Sequence, residues 1–184
     1  MLIGDAREEV RKLLGQDNSG HGLKHTNRVL DLSLKFAEAE NAAEDVIALT
    51  ALLHDVDDYK LFGIESANNL TNARKILAQC LVTDNTKEQV LNALSTIGYS
   101  KRLKGIKPTT LEAMIVSDAD MCDGIGANGI LRSYQYNLSH GNLFFEKSVL
   151  PTLDMSADEY MTKRNETSVT HMFEKMLKLK GLML

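Results

Sequence analysis

The 184-residue sequence predicts an all-α fold, a single-domain helical bundle. Three observations carry the prediction. Apolar residues recur with a period near 3.6, no stretch alternates as a strand would, and proline occurs only at Pro108 and Pro151. Glycine supplies the breaks instead, at Gly15, Gly20, Gly22, Gly63, Gly105 and Gly141. A first helix over 5–14 stops at Gly15, and a second over 24–39 follows Gly22 with Leu30, Leu34 and Ala37 on one line. A third, over 43–57, carries Val46, Leu49, Leu52 and Leu53 at helical spacing. Helices over 65–81 and 86–97 follow Gly63, and one over 109–135 follows Gly105 and Pro108. A short helix over 142–149 fits between Gly141 and Pro151, and the last runs over 157–180. Nothing resembling a linker, repeat or low-complexity tract divides them, so one domain over 1–184 is expected.

The composition, 43% hydrophobic and 25% charged, is that of a globular chain. A net charge of −4, from 21 basic and 25 acidic residues, argues against nucleic acid as a partner while allowing a local basic pocket. Two isolated cysteines, Cys80 and Cys122, make no disulfide framework and point to a reducing, cytoplasmic setting. No apolar stretch suits a signal peptide or a membrane span, so no membrane association is expected, and the sequons at Asn69, Asn137 and Asn165 read as chance.

Three segments stand out as chemistry. In GHGLKHTNRVL (20–30), His21 and His25 lie four apart. Gly20 and Gly22 flank His21, and glycine costs roughly 1 kcal/mol in a helix interior, which places His21 in the turn before the helix. In ALLHDVDDYK (51–60), an apolar helix ends in His54, Asp55, Asp57 and Asp58, a cluster with no packing reason to be there. In IVSDADMCDGIGANGI (115–130), a second apolar run meets Asp118, Asp120 and Asp123. Imidazole and carboxylate together suit divalent ions such as Mn²⁺, Fe²⁺ or Zn²⁺. His54 and Asp55, about 100° apart on a helix, can both reach one ion, with His25 and an aspartate of the third segment completing the set. Gly124, Gly126 and Gly129 match G-x-G-x-x-G, but no strand precedes them and three aspartates would repel a pyrophosphate, so they read as helix-packing glycines.

The order His25, His54-Asp55, Asp120 resembles the H…HD…D pattern of the HD-domain superfamily of metal-dependent phosphohydrolases. HGLKHTNRV, LLHDVDDYK, TLEAMIVSDADMCDGIGANGI and HMFEKMLKLKGLM look like segments of a bacterial HD subfamily that includes nucleoside-triphosphate pyrophosphohydrolases, over about residues 20–183. The resemblance implies an all-helical HD bundle over 1–184 and makes His25, His54, Asp55 and Asp120 the metal ligands, with Asp118 and Asp123 supporting them. Relatives often read DADRLDAIGA where this chain has DADMCDGIGA, so Met121 and Cys122 stand in place of Arg and Leu. Many also carry further histidines between the HD pair and the last aspartate. This chain has none from 56 to 120, which implies a single ion, Mn²⁺ as first choice and Mg²⁺, Fe²⁺, Co²⁺, Ni²⁺ or Zn²⁺ as alternatives.

The expected activity is hydrolysis of a nucleotide, first of all a nucleoside triphosphate cleaved to monophosphate and pyrophosphate. The alternatives are a nucleoside monophosphatase and a non-catalytic nucleotide-binding module. Asp58, four residues after His54, would share its helix face and orient or deprotonate the attacking water. His21 would donate to a phosphate or to the leaving group. Arg28 is a phosphate-binding candidate, as are Lys60, Lys101, Arg132, Arg102 and Lys104, residues of a kind more often found as ordinary surface charges. Arg28 could instead pair with Asp55 or Asp58. The tail HMFEKMLKLKGLML is expected to pack on the core or on a second copy in a homodimer.

Overall fold

The helix at the centre of the molecule, α3 (Glu44–Leu53), is apolar all round, and every residue from Val46 to Leu53 is buried. A helix with no polar face must be enclosed by others. Here α1 (Leu2–Leu14), α2 (Leu23–Glu40), α6 (Asp84–Thr96) and α8 (Leu111–Asp123) pack against it. Its neighbours are amphipathic. α1 turns Ala6, Val10 and Leu14 inward, and α2 does the same with Val29, Leu30 and Ala37. α2 stops at Asn41, whose left-handed backbone (φ 51°) lets its N–H reach the Ala37 carbonyl. These coordinates, a computed structural model, describe residues 2–17, 20–163 and 166–184.

Between α3 and α6 lie α4 (Tyr59–Asn69), kinked at Gly63 (φ 82°), and α5 (Thr71–Gln79). α7 (Tyr99–Leu103) links α6 to α8, and α9 (Gly126–Ser139) follows α8. After a non-helical stretch come α10 (Ala157–Thr162) and α11 (Ser168–His171). α11 continues through a π-helical turn, Met172–Met176, into Leu177–Leu179 and a final tight turn, Lys180–Leu182. Among the described residues there is no strand, and no helix is long and apolar enough to cross a membrane.

The helical period located most elements, and tertiary contacts moved several boundaries. The helix expected over 43–57 ends at Leu53, and 54–57 form turns. There the buried Asp57 accepts from the backbone N–H groups of Asn72 and Ala73, both at 2.9 Å, and so caps α5 instead of extending α3. The helix expected over 65–81 breaks at Leu70 (φ 51°). That expected over 109–135 breaks after Asp123, because a Cβ on Gly129 would stand 2.2 Å from the Gly124 carbonyl oxygen, and the chain turns a corner through that close approach. Residues 142–149 are not helical. The Leu143 and Phe144 carbonyls instead accept from Ser168 and Val169, serving the unpaired first turn of α11. α7 has no counterpart among the expected helices. The helix expected over 157–180 is divided, with residues 164–165, and hence the Asn165 sequon, outside the described residues. Asn137, in another sequon, is buried. In the tail, Met176 and Leu179 face the core.

The corner at Gly124–Gly129 is testable. Gly129→Ala forces a methyl into backbone, and overpacking of this kind costs about 1–3 kcal/mol. Gly4→Ala, with open space around its Cβ, should leave stability unchanged or slightly raised. Thermal melts of the two variants should differ by several degrees, and equal melting temperatures would overturn this account of the corner.

Candidate metal centre

The mutual packing of α2, α3 and α8 brings three chain segments to one point. The first turn of α2 contributes His25, the turn after α3 contributes His54 and Asp55, and the last turn of α8 contributes Asp120 and Asp123. Each imidazole is oriented through Nδ1. His54 Nδ1 lies 2.7 Å from the Ala51 carbonyl oxygen, and His25 Nδ1 lies 2.7 Å from Asp123 Oδ2. Because a carbonyl and a carboxylate only accept, both Nδ1 atoms carry the proton, and both Nε2 atoms face the site. The two Nε2 atoms are 3.0 Å apart. Asp55 Oδ2 lies 3.4 Å from each of them, and Asp120 Oδ1 lies 3.4 Å from His25 Nε2 and 4.0 Å from His54 Nε2. His25, His54 and Asp120 each offer one ligand atom within 4.8 Å of the others, and no other such cluster occurs among the described residues.

Lone pairs and negative oxygens converging in a buried space require a positive charge between them, so the donor set fits a divalent cation. The same demand acts on His25 when no ion is bound. Burial opposes a charged ring, yet hydrogen bonds with Asp120, Asp123 and Asp55 push its pKa up to about 10. Burial also opposes ionisation of Asp55, but the neighbouring His54 and His21 hold its carboxyl well below the usual range.

Behind the ligand atoms, Asp123 anchors a network. Besides His25 it accepts from Arg28 Nε (2.7 Å) and Nη2 (2.9 Å), Arg132 Nη1 (3.0 Å) and Asn128 Nδ2 (2.7 Å). A carboxylate holding the far nitrogen of a metal-facing histidine is the usual means of fixing its tautomer and raising its basicity. Asp118 takes no part in this network; its Oδ2 accepts from the Leu184 N–H and ties down the tail.

The remaining sequence candidates fall in several places. His21 sits in the turn before α2, as the flanking glycines required, with Nδ1 3.1 Å from Asp55 Oδ2. Asp58 does not share a helix face with His54, since α3 has already ended. It caps α4 by accepting from Lys60 N at 2.8 Å, and still lines the cleft beside the centre. Arg28 pairs with Asp123 instead of Asp55 or Asp58. Arg132 divides its guanidinium between Asp123 and the Gly20 carbonyl. Lys101 Nζ donates to the Leu94 carbonyl at 2.6 Å, and burial pushes its pKa down. Arg102 Nη2 reaches Ser117 Oγ at 3.4 Å, and Lys104 is exposed away from the cleft. Lys60 places its ammonium 4.7 Å from the ring centre of Tyr136 and 5.7 Å from that of Tyr160. The cleft is about 1160 Å³ and opens to solvent. Its wall includes Tyr59, Tyr99, Tyr160 and Lys175, none of them singled out from the sequence. The available signal was the scarcity of aromatics, only 5% of the chain, which gives each tyrosine weight.

Comparison with known proteins agrees with this geometry. A family described as HD domain matches residues 22–125. The Bacillus subtilis protein YpgQ is 28% identical over 178 residues, covering 96% of this chain and 78% of its own. Its structure in complex with ADP superposes with a TM-score of 0.65 at 24% identity, over 99% of this chain and 83% of that one. A solved Lactobacillus plantarum protein has a TM-score of 0.85 and 29% identity, covering 99% of this chain and 84% of that one. A Bacillus thuringiensis protein described as an HD-superfamily hydrolase has a TM-score of 0.68 and 27% identity, covering 99% and 82%.

Two predictions follow from the centre's construction. Asp123→Asn should weaken metal binding by about 10–100-fold, because the partner that orients His25 loses its charge. His25→Ala should abolish metal binding and His21→Ala should leave metal content unchanged. Elemental analysis after dialysis reads all three, with about one ion per wild-type chain, and equal metal loss from both histidine variants would place His21 among the ligands. The second concerns pH. A histidine raised to about 10 is protonated in the metal-free protein below that pH, so the proton competes with the ion. Affinity should therefore rise with pH, and binding of Mn²⁺ at about pH 7.5 should release about one proton, measurable by calorimetry in buffers of different ionisation enthalpy.

Proposed function

The chain belongs to the HD domain family and is a metal-dependent hydrolase, and we propose that its substrate is a nucleotide, first of all a nucleoside triphosphate cleaved to monophosphate and pyrophosphate. The observation that carries this reading is the juxtaposition of a metal-binding donor set with a cleft walled by Lys60, Lys101, Arg102, Arg132 and Lys175, on a protein whose net charge is −4. Cations concentrated at one cleft of an acidic protein suit a phosphate substrate. The complex of YpgQ with ADP supports a nucleotide in particular.

In this reading His25, His54, Asp55 and Asp120 hold one divalent ion, Mn²⁺ as first choice. When bound, the ion polarises a phosphoryl oxygen and lowers the pKa of its water. Water oxygen then bonds to the α-phosphorus as the bond from that phosphorus to the β-bridging oxygen breaks. Asp58 Oδ1 is committed to the Lys60 N–H, and its other carboxylate oxygen would take the water's proton. His21 is held by Asp55 through Nδ1–H, and from its imidazolium form Nε2 would give its proton to the departing oxygen, leaving the neutral ring on Asp55. Lys60 and Arg132 stabilise charge on the phosphate oxygens. Arg28 acts through Asp123, and Lys101 shapes the wall. The two free cysteines favour a cytoplasmic setting.

Incubation with Mn²⁺ and a panel of nucleoside tri-, di- and monophosphates, with phosphate and pyrophosphate assayed separately, tests the proposal. Pyrophosphate from triphosphates is expected, orthophosphate from monophosphates alone would make the chain a monophosphatase, and no product from metal-loaded protein would make it a binding module. Asp58→Ala should keep the metal and lose about 10²–10⁴-fold in turnover. Full activity in that variant would remove Asp58 from the mechanism.

A further inference from the structure

The cleft has a second chamber. It is about 520 Å³ and adjoins the metal-side cleft, with His21, Lys60, Gly124, Arg132 and Lys175 lining both. Three of these five residues are cations, and two of them make no direct ion pair among the described residues, although Asp58 and Glu166 act on Lys60 from further off. Lys60 faces tyrosine rings and Lys175 lies 5.3 Å from the ring centre of Tyr99. Neither ammonium has a carboxylate within ion-pair distance among the described residues. Arg132 shares the single carboxylate of Asp123 with Arg28, so that pairing too leaves positive charge in excess. The chamber's own acid, Glu166, has Oε1 2.5 Å from His171 Nδ1; burial opposes its ionisation, but His171, Lys60 and Lys163 hold its carboxyl below the usual range.

A second observation is independent of charge. Ser133, on α9, lines this chamber and is only 8% exposed, yet its Oγ has no hydrogen-bond partner. A buried hydroxyl left unsatisfied costs about 1–3 kcal/mol, and such a group in a cavity wall marks the place of an absent acceptor or donor. Half-buried ammonium groups are costly for the same reason unless an anion meets them. Both deficits are removed by one occupant, a multiply charged oxyanion that accepts from two ammonium groups and a hydroxyl at once.

We propose that this chamber is an anion subsite for the terminal phosphates of a nucleoside triphosphate, and for the pyrophosphate that those phosphates become. The assignment rests on reading the adjoining centre as a nucleotide hydrolase. It goes further by giving the diphosphate moiety its own partners, Lys60, Lys175 and Ser133, away from the metal ligands. A monophosphate ester would leave the chamber empty, so the subsite discriminates by the number of phosphates and not by the base.

Calorimetric titration with sodium pyrophosphate tests the assignment on the full chain, Mn²⁺-loaded and again after chelation, with circular dichroism showing that the helices persist. Wild-type protein should bind pyrophosphate in both forms and more tightly than orthophosphate. Lys175→Met should weaken pyrophosphate binding by at least about tenfold, Ser133→Ala should weaken it severalfold, and the exposed-lysine control Lys107→Met should not change it. In steady-state assays Lys175→Met should raise KM for triphosphates while leaving KM for a monophosphate ester unchanged. Absence of pyrophosphate binding, or equal binding by wild type and Lys175→Met, would overturn the subsite. Protein that binds pyrophosphate through Lys175 but cleaves no nucleotide would refute the hydrolase reading and keep the subsite. Nucleotide hydrolysis without pyrophosphate binding would do the reverse.

Discussion

The carboxylate of Asp123 holds together four side chains that would otherwise have no common partner. His25 and Arg28 reach it from α2, and Asn128 and Arg132 from α9, while Asp123 itself closes α8. Burial works against its ionisation, but the His25, Arg28 and Arg132 contacts keep it well below the usual carboxylate range. Breaking a buried pair of this kind strands the surviving charge, at a cost of about 3–5 kcal/mol. The network is therefore both a staple between three helices and the means by which one imidazole nitrogen is aimed at the metal position. Through Arg132 and the Gly20 carbonyl it also anchors the turn that carries His21.

The candidate ligand atoms stand where they do because α3 is apolar on every side. Such a helix can present polar groups only at its ends, and His54 and Asp55 follow directly upon Leu53. The neighbouring helices deliver His25 at a first turn and Asp120 at a last turn, so their side chains are supplied from rigid elements packed on a common core. The resulting site is preorganised and strongly electron-rich. Its demand for positive charge shows as the raised pKa of His25.

Charge is distributed against the average of the molecule. The chain is acidic as a whole, yet the space beside the candidate metal centre gathers Lys60, Lys101, Arg102, Arg132, Lys175 and three tyrosines, together with Asp57 and Asp58. Tyrosine faces favour an ammonium without neutralising it, unlike a carboxylate. Lys60 and Lys175 therefore face rings and make no direct ion pair among the described residues, whereas Arg28 and Lys101 are largely occupied by protein acceptors.

Local sequence determined the helical class, the apolar lines of α2 and α3, the turn at His21 and the types of residue able to bind a metal. These follow from the 3.6-residue period, from glycine placement and from side-chain chemistry, all of which act over a few residues. Tertiary structure decided the rest. Leu70 and the Gly124–Gly129 corner break helices whose local pattern runs on, because the breaks follow from contacts between helices. Residues 142–149 stay out of a helix, and the Leu143 and Phe144 carbonyls serve the first turn of α11 instead. Asp58 leaves the His54 face because the backbone of α5 takes Asp57 as its cap and draws the chain out of α3. The pairing of Arg28 with Asp123, 95 residues away, and the meeting of Lys60, Ser133 and Lys175 around one chamber are long-range encounters. No local pattern encodes them, since which charges meet is set by the packing of the helices that carry them.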